Sequence, residues 1–275
     1  MRRLKLYHKT AYRTICLLIS IAVALCLWFA ISSIPSVSTV FVSPVKVWRA
    51  FVKNVQNGTL MIHVRDSLVR VLGGFSLGFV CSVPVAFLLG WYEGFRAIVE
   101  PWIQFLRTIP PIALIPIVIA ACGIGTSAKI IIIFFAVFLT MVVTIYQGVK
   151  NVDPTLIKAA RVFDANDRQL FFHVVVPASV PYIFTAIRLG LATALTTLVA
   201  AELTGAATGL GTMIQQAGMY FKMDIVLMGI VVIGIIGFVL DKIALLIEKK
   251  VTAWQVRWKR SRRASHTTMK SKFRA

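Results

Sequence analysis

The sequence predicts an all-α membrane protein with six transmembrane helices. Of its 275 residues, 58% are hydrophobic and only 15% are charged, and the mean hydropathy is +0.83. Soluble domains carry about 25% charged residues, and apolar runs of about 20 residues, long enough to cross a bilayer, recur along this chain. Inside a bilayer the backbone N–H and C=O groups of such a run must hydrogen-bond within the protein, either inside a helix or between the strands of a closed barrel. The alternating pattern of barrel strands is missing, so we expect helices.

The six predicted spans divide the chain into five regions. The first span follows a basic stretch, as a signal peptide would, but its apolar run exceeds the usual length of about 7–15 residues and no A-x-A site follows, so we expect it to be retained. The spans are 15–34, 68–90, 102–122, 128–148, 182–206 and 225–247. The regions are a basic N-terminus (1–14), the first transmembrane helix (15–34), an outer segment (35–66), a core of five helices (67–248) with a loop at 149–180, and a basic tail (249–275).

The basic residues predict the orientation. Twenty of the 30 Lys and Arg residues lie in the segments 1–13, 91–100, 149–180 and 249–275, and six lie in the segments 35–66, 123–129 and 207–224. Because basic residues accumulate on the cytoplasmic side, both termini and the loop 149–180 are predicted to be cytoplasmic, in a plasma or inner membrane. The basic tails are expected to contact anionic headgroups and not nucleic acid.

The outer segment contains an amphipathic helix pattern. Ser43 and Pro44 suit the N-cap and first position of a helix, and apolar residues follow at helical spacing. These residues are Val47, Phe51 and Val55. A turn is expected at Asn57-Gly58, so an interfacial helix is predicted between the first two spans.

Two spans carry residues that shape helix packing. Pro110, Pro111 and Pro116 interrupt the third span, and proline kinks a helix. The break is either a packing kink or a segment that lines a transport pathway. In the second span, Gly74 and Gly78 form a small-xxx-small pair that favours close contact with another helix.

Acidic residues are rare inside the predicted spans, and each is a functional candidate. Glu202 lies near the outer end of the fifth span and has no partner nearby in the sequence, so either a bond between helices or a pathway-lining role fits it. Asp241 in the last span is followed by Lys242, and this neighbouring pair favours a structural role.

The sequence holds no pattern of a catalytic, metal or nucleotide site. The histidines and cysteines stand apart, no HExxH, GxSxG or CxxC occurs, and the glycines and lysine of GIGTSAK have the wrong spacing for a phosphate loop. We therefore expect a chain that is not an enzyme and binds neither metal nor cofactor.

The segment LIKAARVFDANDRQLFFHVVVP, 156–177, is a charged interruption in an apolar chain. Asp153 and Pro154 suit a helix start, and the next apolar residues form one face with two alanines at its centre. These residues are Leu156, Ala159, Ala160 and Phe163. The DAND stretch breaks the helix, and Asn166 suits the N-cap of a second short helix that ends at Pro177. The segment either lies on the headgroups or docks in a groove of a cytoplasmic partner.

The segment resembles the cytoplasmic EAA loop of ABC-importer permeases, the inner-membrane components of binding-protein-dependent transport. The family pattern is E-A-A, three residues, G, nine residues, I-x-L-P, and Lys158-Ala159-Ala160, Asp164 and Val174-x-Val176-Pro177 have that spacing. Five further stretches, in order over about residues 40–250, are similar to the nitrate, sulfonate and taurine branch. They are SLVRVLGGFSLG, VEPWIQFLRTIPPIALIPIVI, GIGTSAKI, YQGVKNVDP and AIRLGLATALTTLVAAEL.

The resemblance implies a type I ABC-importer permease that works as one of a pair, with a homodimer expected. Each copy would dock its loop on a separate cytoplasmic ATPase subunit, which holds the ATP, and an extracytoplasmic solute-binding protein would deliver the solute. The coupling residues implied are Leu156, Lys158, Ala159, Ala160, Phe163, Asp164 and Pro177. The branch includes permeases for nitrate, alkanesulfonates, taurine, bicarbonate and pyrimidine precursors of thiamin. A small anionic or polar solute is expected, with a pyrimidine thiamin precursor as the alternative.

The loop departs from the family pattern at two positions. Lys158 replaces a glutamate and reverses its charge, and Asp164 replaces a glycine. Because glycine permits positive φ and Asp tolerates it at a cost of about 1 kcal/mol, we predict a left-handed Asp164 and a retained turn.

Two other classes of protein fit the composition less well. An ATP-independent secondary transporter or channel favours broken helices in two related halves, whereas this sequence has one broken span and no internal repeat. A membrane-bound enzyme would need a catalytic cluster, which the sequence lacks.

Overall fold

The computed structural model describes residues 2–252. For residues 2–11 and 13 it describes the backbone but not the side chains. The predicted tail 249–275 therefore lies largely outside the described residues. All the regular secondary structure of the described residues is helical. Its helices are α1 (Arg2–Ser32), α2 (Pro44–Gln56), α3 (Thr59–Trp91), α4 (Glu93–Thr108), α5 (Ile115–Cys122), α6 (Thr126–Lys150), α7 (Pro154–Val162), α8 (Asp167–Leu170), α9 (Val176–Leu203), α10 (Leu210–Met219) and α11 (Met223–Val251).

Five stretches of helix are long and apolar enough to cross a membrane. They are Thr14–Ser32, Thr59–Trp91, Thr126–Lys150, Asp167–Leu203 and Met223–Val251. A sixth is obtained if the bent pair Glu93–Thr108 and Pro111–Cys122 counts as one span. Counted in that way, the residues that the structure describes have the six spans expected from the sequence.

The third predicted span, 102–122, is not one straight helix. The helix ends at Thr108, a 3₁₀ turn covers Pro111–Leu114, and the two helical pieces meet at 91°. The break falls at Pro110-Pro111, where two successive residues lack the N–H group that a helix needs. Pro116 lies in the first turn of α5 and does not break it, because that position needs no intrahelical donor.

The chain divides into two compact units, and each is described by itself. The first unit comprises Met1–Asp66 and Ala207–Ile233. Within it, the indole N–H of Trp28 donates to the Val42 carbonyl at 3.0 Å, and Nδ1 of His63 accepts from the Gly209 backbone N–H at 2.9 Å. The helix predicted in the segment 35–66 is present as α2, and the expected turn follows at Gly58, where φ is +70°.

The second unit comprises residues 67–206 and the described residues from 234 to 252, and α6 forms its centre. The fully buried side chains Ile133, Met141 and Ile145 lie along α6. Helix α9 packs against α6 along its length, with Ala186 and Ala194 in the same apolar core. The small alanines let the two backbones approach closely, as is typical of helices packed in a membrane.

Glycines bring α3 and α6 into contact, as the small-xxx-small pair predicted. A Cβ added to Gly74 would lie 2.6 Å from Cβ of Ile133, and one added to Gly78 would lie 2.7 Å from Cγ1 of Val137. Real Cβ atoms do not approach that closely, so these glycines are required by the packing. The prediction of close contact in the second span is confirmed.

We expect Gly148→Ala to destabilise the second unit by about 1–3 kcal/mol, because overpacking a filled contact forces backbone shifts. The added Cβ would lie 2.3 Å from Cβ of Tyr182, an atom held close to the α9 backbone. The measurement is the thermal unfolding midpoint of the detergent-solubilised protein. Gly234→Ala is the matched control, since nothing lies within 4 Å of its added Cβ and helix propensity favours Ala by up to about 1 kcal/mol. An equal effect of both substitutions would contradict the packing role of Gly148.

Candidate functional site

The charged segment 156–177 begins with a well-defined helix. Helix α7 starts at Pro154, and the Asp153 carboxylate accepts from the Thr155 backbone N–H at 2.9 Å. Asp at the N-cap satisfies a donor that a helix start leaves free, and proline at the first position loses no bond. The helix start predicted from Asp153-Pro154 is confirmed.

The end of α7 is held by a Schellman motif, in which a left-handed residue closes the last turn. Asp164 has φ of 56°. Its N–H donates to the Arg161 carbonyl at 3.0 Å, and the Ala165 N–H donates to the Ala160 carbonyl at 3.1 Å. The prediction of a left-handed Asp164 is confirmed, and the turn keeps the geometry that a glycine would give it.

Arg161 ties this turn to the next helix. One guanidinium nitrogen donates to the Ala165 carbonyl at 3.2 Å, and another bonds to the Asp167 carboxylate. Asn166 caps α8 as predicted, and it forms a capping box with Gln169. Both ends of the four-residue link between α7 and α8 are thus fixed by hydrogen bonds, so the two helices are held at one geometry.

The second helix is not short and separate, which corrects the expectation from the sequence. Helix α8, a π-helical turn (Phe171–Val175) and α9 run without a break from Asp167 to Leu203. Pro177 lies in the first turn of α9 and does not end a helix. A π-turn widens the helix, and it lies where the proline ring would otherwise meet a carbonyl of the preceding turn.

The apolar face of α7 is uncovered. Leu156 is 41% exposed and Phe163 is 85% exposed, and no residue of α7 is buried. Only Ile157, on another side of the helix, packs against the core of the second unit. Lys158 is exposed and makes no hydrogen bond or ion pair within residues 2–252. Exposed apolar residues that are framed by charges are typical of an interaction surface.

We expect Asp164→Gly to raise stability by about 0.5–1 kcal/mol, because glycine adopts positive φ without strain. Asp164→Val should lower the stability by more than about 1 kcal/mol, since β-branched residues disfavour positive φ. Midpoints of thermal unfolding in detergent measure both variants. A lower midpoint for the glycine variant than for the valine variant would contradict the strain at Asp164.

The proline residues proposed for a pathway lie at the 91° bend. Pro110 and Pro116 are exposed and Pro111 is half-buried. Ile112 and Ile117 beside them are also exposed, by 54% and 67%. The bend therefore presents an irregular backbone with open neighbours, whereas a purely internal kink would be covered by its own chain.

Glu202 forms a bond between helices. Its side chain is fully buried and accepts from Nη1 of Arg70 at 2.6 Å and from the Ser67 hydroxyl at 2.8 Å. Lys129, also buried, lies close enough for its charge to interact with both Arg70 and Glu202. Of the two roles left open by the sequence, the helix–helix bond is the one present in this structure.

Asp241 also bonds to an arginine on another helix. Nε of Arg188 donates to its carboxylate at 2.7 Å, whereas the neighbouring Lys242 lies over the Phe238 ring, 5.0 Å from its centroid. The expected local pair with Lys242 is therefore wrong. The roles of Arg70 and Arg188 were not predicted from the sequence, although an arginine inside a span needs a counter-charge there.

The comparison with known families decides what kind of protein carries this site. Residues 74–253 match the family described as "Binding-protein-dependent transport system inner membrane component". The chain belongs to this family. It is an inner-membrane transport component and not an enzyme.

Relatives of this transport component are named as permeases. This chain is 45% identical over 240 residues to a probable ABC transporter permease protein of Brucella abortus (strain 2308), and the match covers 87% of this chain and 95% of the relative. It is 33% identical to the taurine transport system permease protein TauC of Escherichia coli (strain K12), covering 86% and 88%. It is 32% identical to the nitrate import permease protein NrtB of a Synechocystis species, covering 70% of each chain.

The transport component also has the fold of a solved transporter. A chain of the inward-facing MetNI methionine ABC transporter superimposes with a TM-score of 0.64 at 22% identity, covering 70% of this chain and 96% of that one. At this identity the likeness concerns the fold alone. The expected type I importer fold is confirmed.

Proposed function

We propose that the chain is the permease subunit of an ATP-driven, binding-protein-dependent importer, coupled to a separate ATPase through the loop 156–177. The observation that carries the proposal is the uncovered apolar face of α7 beside a rigid, hydrogen-bonded turn. A groove on the ATPase that receives this face would bury Leu156 and Phe163 around the two alanines. ATP binds to that partner, and this chain holds no cofactor.

The proposed coupling runs through bonded structure. Movement of α7 is transferred to α8 by Arg161, which bonds to Ala165 and Asp167 on either side of the link. Helix α8 continues into α9 through the π-turn, and α9 packs along the central α6. A pull on the loop would therefore shift the continuous helix from Asp167 to Leu203, because no flexible linker separates α8 from α9.

The charge distribution supports the proposed orientation in the membrane. The excess of Lys and Arg in the segments 1–13, 91–100, 149–180 and 249–275 supports cytoplasmic termini and a cytoplasmic loop. A second copy of the chain would complete the pathway as a homodimer. The exposed bend at Pro110-Pro111, with Pro116 next to it, is the proposed pathway-lining segment.

The solute is proposed to be a small anionic or polar molecule of the nitrate, alkanesulfonate or taurine type. The named relatives for taurine and nitrate support this class. A pyrimidine precursor of thiamin is the alternative within the same family. An ATP-independent secondary transporter is less well supported, because the described spans contain a single bent pair.

Uptake by reconstituted vesicles tests the proposal. Vesicles that hold the permease and its ATPase, with the solute-binding protein outside and ATP inside, should accumulate a labelled sulfonate or nitrate. Vesicles with an ATPase that cannot hydrolyse ATP are the control and should accumulate none. Uptake that continues without any ATPase would refute the coupled mechanism.

A further inference from the structure

A recess of about 530 Å³ opens in the first unit and is lined by three basic side chains. Lys46, Arg49 and Lys53 lie on one side of α2 at spacings of three and four residues. Asp224 is the acidic residue of the lining, and Phe221 also borders the recess. All of these residues belong to the same unit.

The basic side of α2 is distinct from its apolar sides. A helix turns by about 100° per residue, so the three cations lie on one side of α2. The buried face and the uncovered apolar face of the helix each lie about a third of a turn away from that side. Val47 and Ala50 form the buried face. Trp48 and Val55, 64% and 42% exposed, form an uncovered apolar face. An interfacial helix would turn that apolar face to lipid, which leaves the basic side facing away from hydrocarbon.

The three cations of the recess outnumber its one acidic lining residue, Asp224. Among the residues that the structure describes, Lys46, Arg49 and Lys53 take part in no ion pair. They also lie in the segment 35–66, where the positive-inside rule disfavours basic residues. Three like charges kept together against that bias indicate a surface that receives negative charge.

A strained aromatic residue lies at the border of the recess. Phe221 has φ of 54° and closes α10 as the left-handed residue of a Schellman motif, with bonds from its N–H to Gly218 and from the Lys222 N–H to Ala217. Its side chain is 82% exposed, and Tyr220 before it is 76% exposed. Because a glycine would fit this position without strain, an exposed phenylalanine there indicates a function for the ring.

We infer that this recess is the docking surface for the solute-binding protein, which would present acidic side chains to Lys46, Arg49 and Lys53 and an apolar socket to Phe221. The inference rests on the proposed function, because it needs a binding protein on the extracytoplasmic side. Charge complementarity selects the partner and speeds its arrival, and an aromatic anchor supplies contact area. A protein partner offers both features, whereas a phosphate headgroup offers only the charge.

The test measures binding of the labelled cognate solute-binding protein to the permease–ATPase complex in nanodiscs of zwitterionic lipid. Arg49→Glu should weaken binding about tenfold at low salt and less at high salt, since salt screens exposed charges. Arg65→Glu is the matched control. It makes the same charge change at an exposed residue of the same unit that does not line the recess, and it should leave the affinity within about twofold.

Phe221→Gly tests the anchor without harming the fold, because glycine suits the left-handed position. It should weaken binding about tenfold at both salt concentrations. Unchanged affinity in both Arg49→Glu and Phe221→Gly would overturn the inference. An effect of Arg49→Glu that appears only in anionic lipid would also overturn it and would assign the recess to headgroups. Retention of the ATPase in every sample separates these outcomes from a failure of the proposed coupling.

Discussion

Ala160→Trp is expected to abolish co-purification of the ATPase, while the permease still inserts in the membrane. Ala160 lies at the centre of the proposed contact face, where only a small side chain allows the α7 backbone to approach its partner. An indole there would hold the surfaces apart, and loss of a close-packed contact weakens binding by a factor of ten for about every 1.4 kcal/mol. The measurement is the amount of ATPase retained on affinity-tagged permease.

Two further variants keep this experiment interpretable. Ala159→Trp changes an exposed alanine of the same face, so it tests the contact without a clash inside the chain. Ala97→Trp makes the same change at an exposed residue of α4 in the segment 91–100, which the same orientation places on the cytoplasmic side, and it should leave the ATPase bound. Normal ATPase retention in both loop variants would contradict docking through α7.

Glu202→Ala is expected to destabilise the protein by about 3–5 kcal/mol, because removal of one member of a buried ion pair leaves the desolvation of the other uncompensated. The substitution removes the carboxylate that bonds Arg70 at 2.6 Å, with both side chains nearly inaccessible. The apparent unfolding midpoint in detergent should fall by roughly 10 °C.

Glu93→Ala is the matched control for this prediction. It also removes the glutamate of an ion pair, with Arg96, but the Glu93 side chain is 91% exposed. Exposed pairs contribute about 0–1 kcal/mol, so its midpoint should barely move. Equal midpoints for the two variants would mean that the Glu202 bond does not stabilise the helix packing.

The local features of the loop were predictable because they depend on residues close in sequence. Asp153-Pro154 predicts a helix start, and a residue in the position of the family's glycine predicts a left-handed turn at Asp164. The structure has both. Only nearby backbone groups take part in these bonds, so no knowledge of the tertiary fold was needed.

The continuous second helix could not be read from the same residues. Pro177 favours a helix end in isolation, yet Phe171 packs edge-on against Phe87 and Trp91, with ring centroids 5.6 and 5.2 Å apart. These contacts come from a distant part of the chain and stabilise the π-turn. Tertiary packing therefore overrides a local signal at this point.

The ion pairs inside the spans could be predicted only in part from the sequence. Glu202 and Asp241 were identified as costly groups in the membrane, but their partners Arg70 and Arg188 are 132 and 53 residues away in the chain. An acid inside a span is expected to pair with a basic residue inside another span, which narrows the choice of partner. Which arginine pairs with which acid depends on helix packing, and that requires the fold.

Photo-crosslinking from position 163 tests the central claim most directly. A photoreactive phenylalanine analogue at Phe163, which is 85% exposed at the end of α7, should form an adduct of the permease with the ATPase in intact membranes. The same analogue at Tyr220, on the proposed extracytoplasmic side, should form none. An ATPase adduct from Tyr220, or none from Phe163 in an assembled and active transporter, would contradict the account.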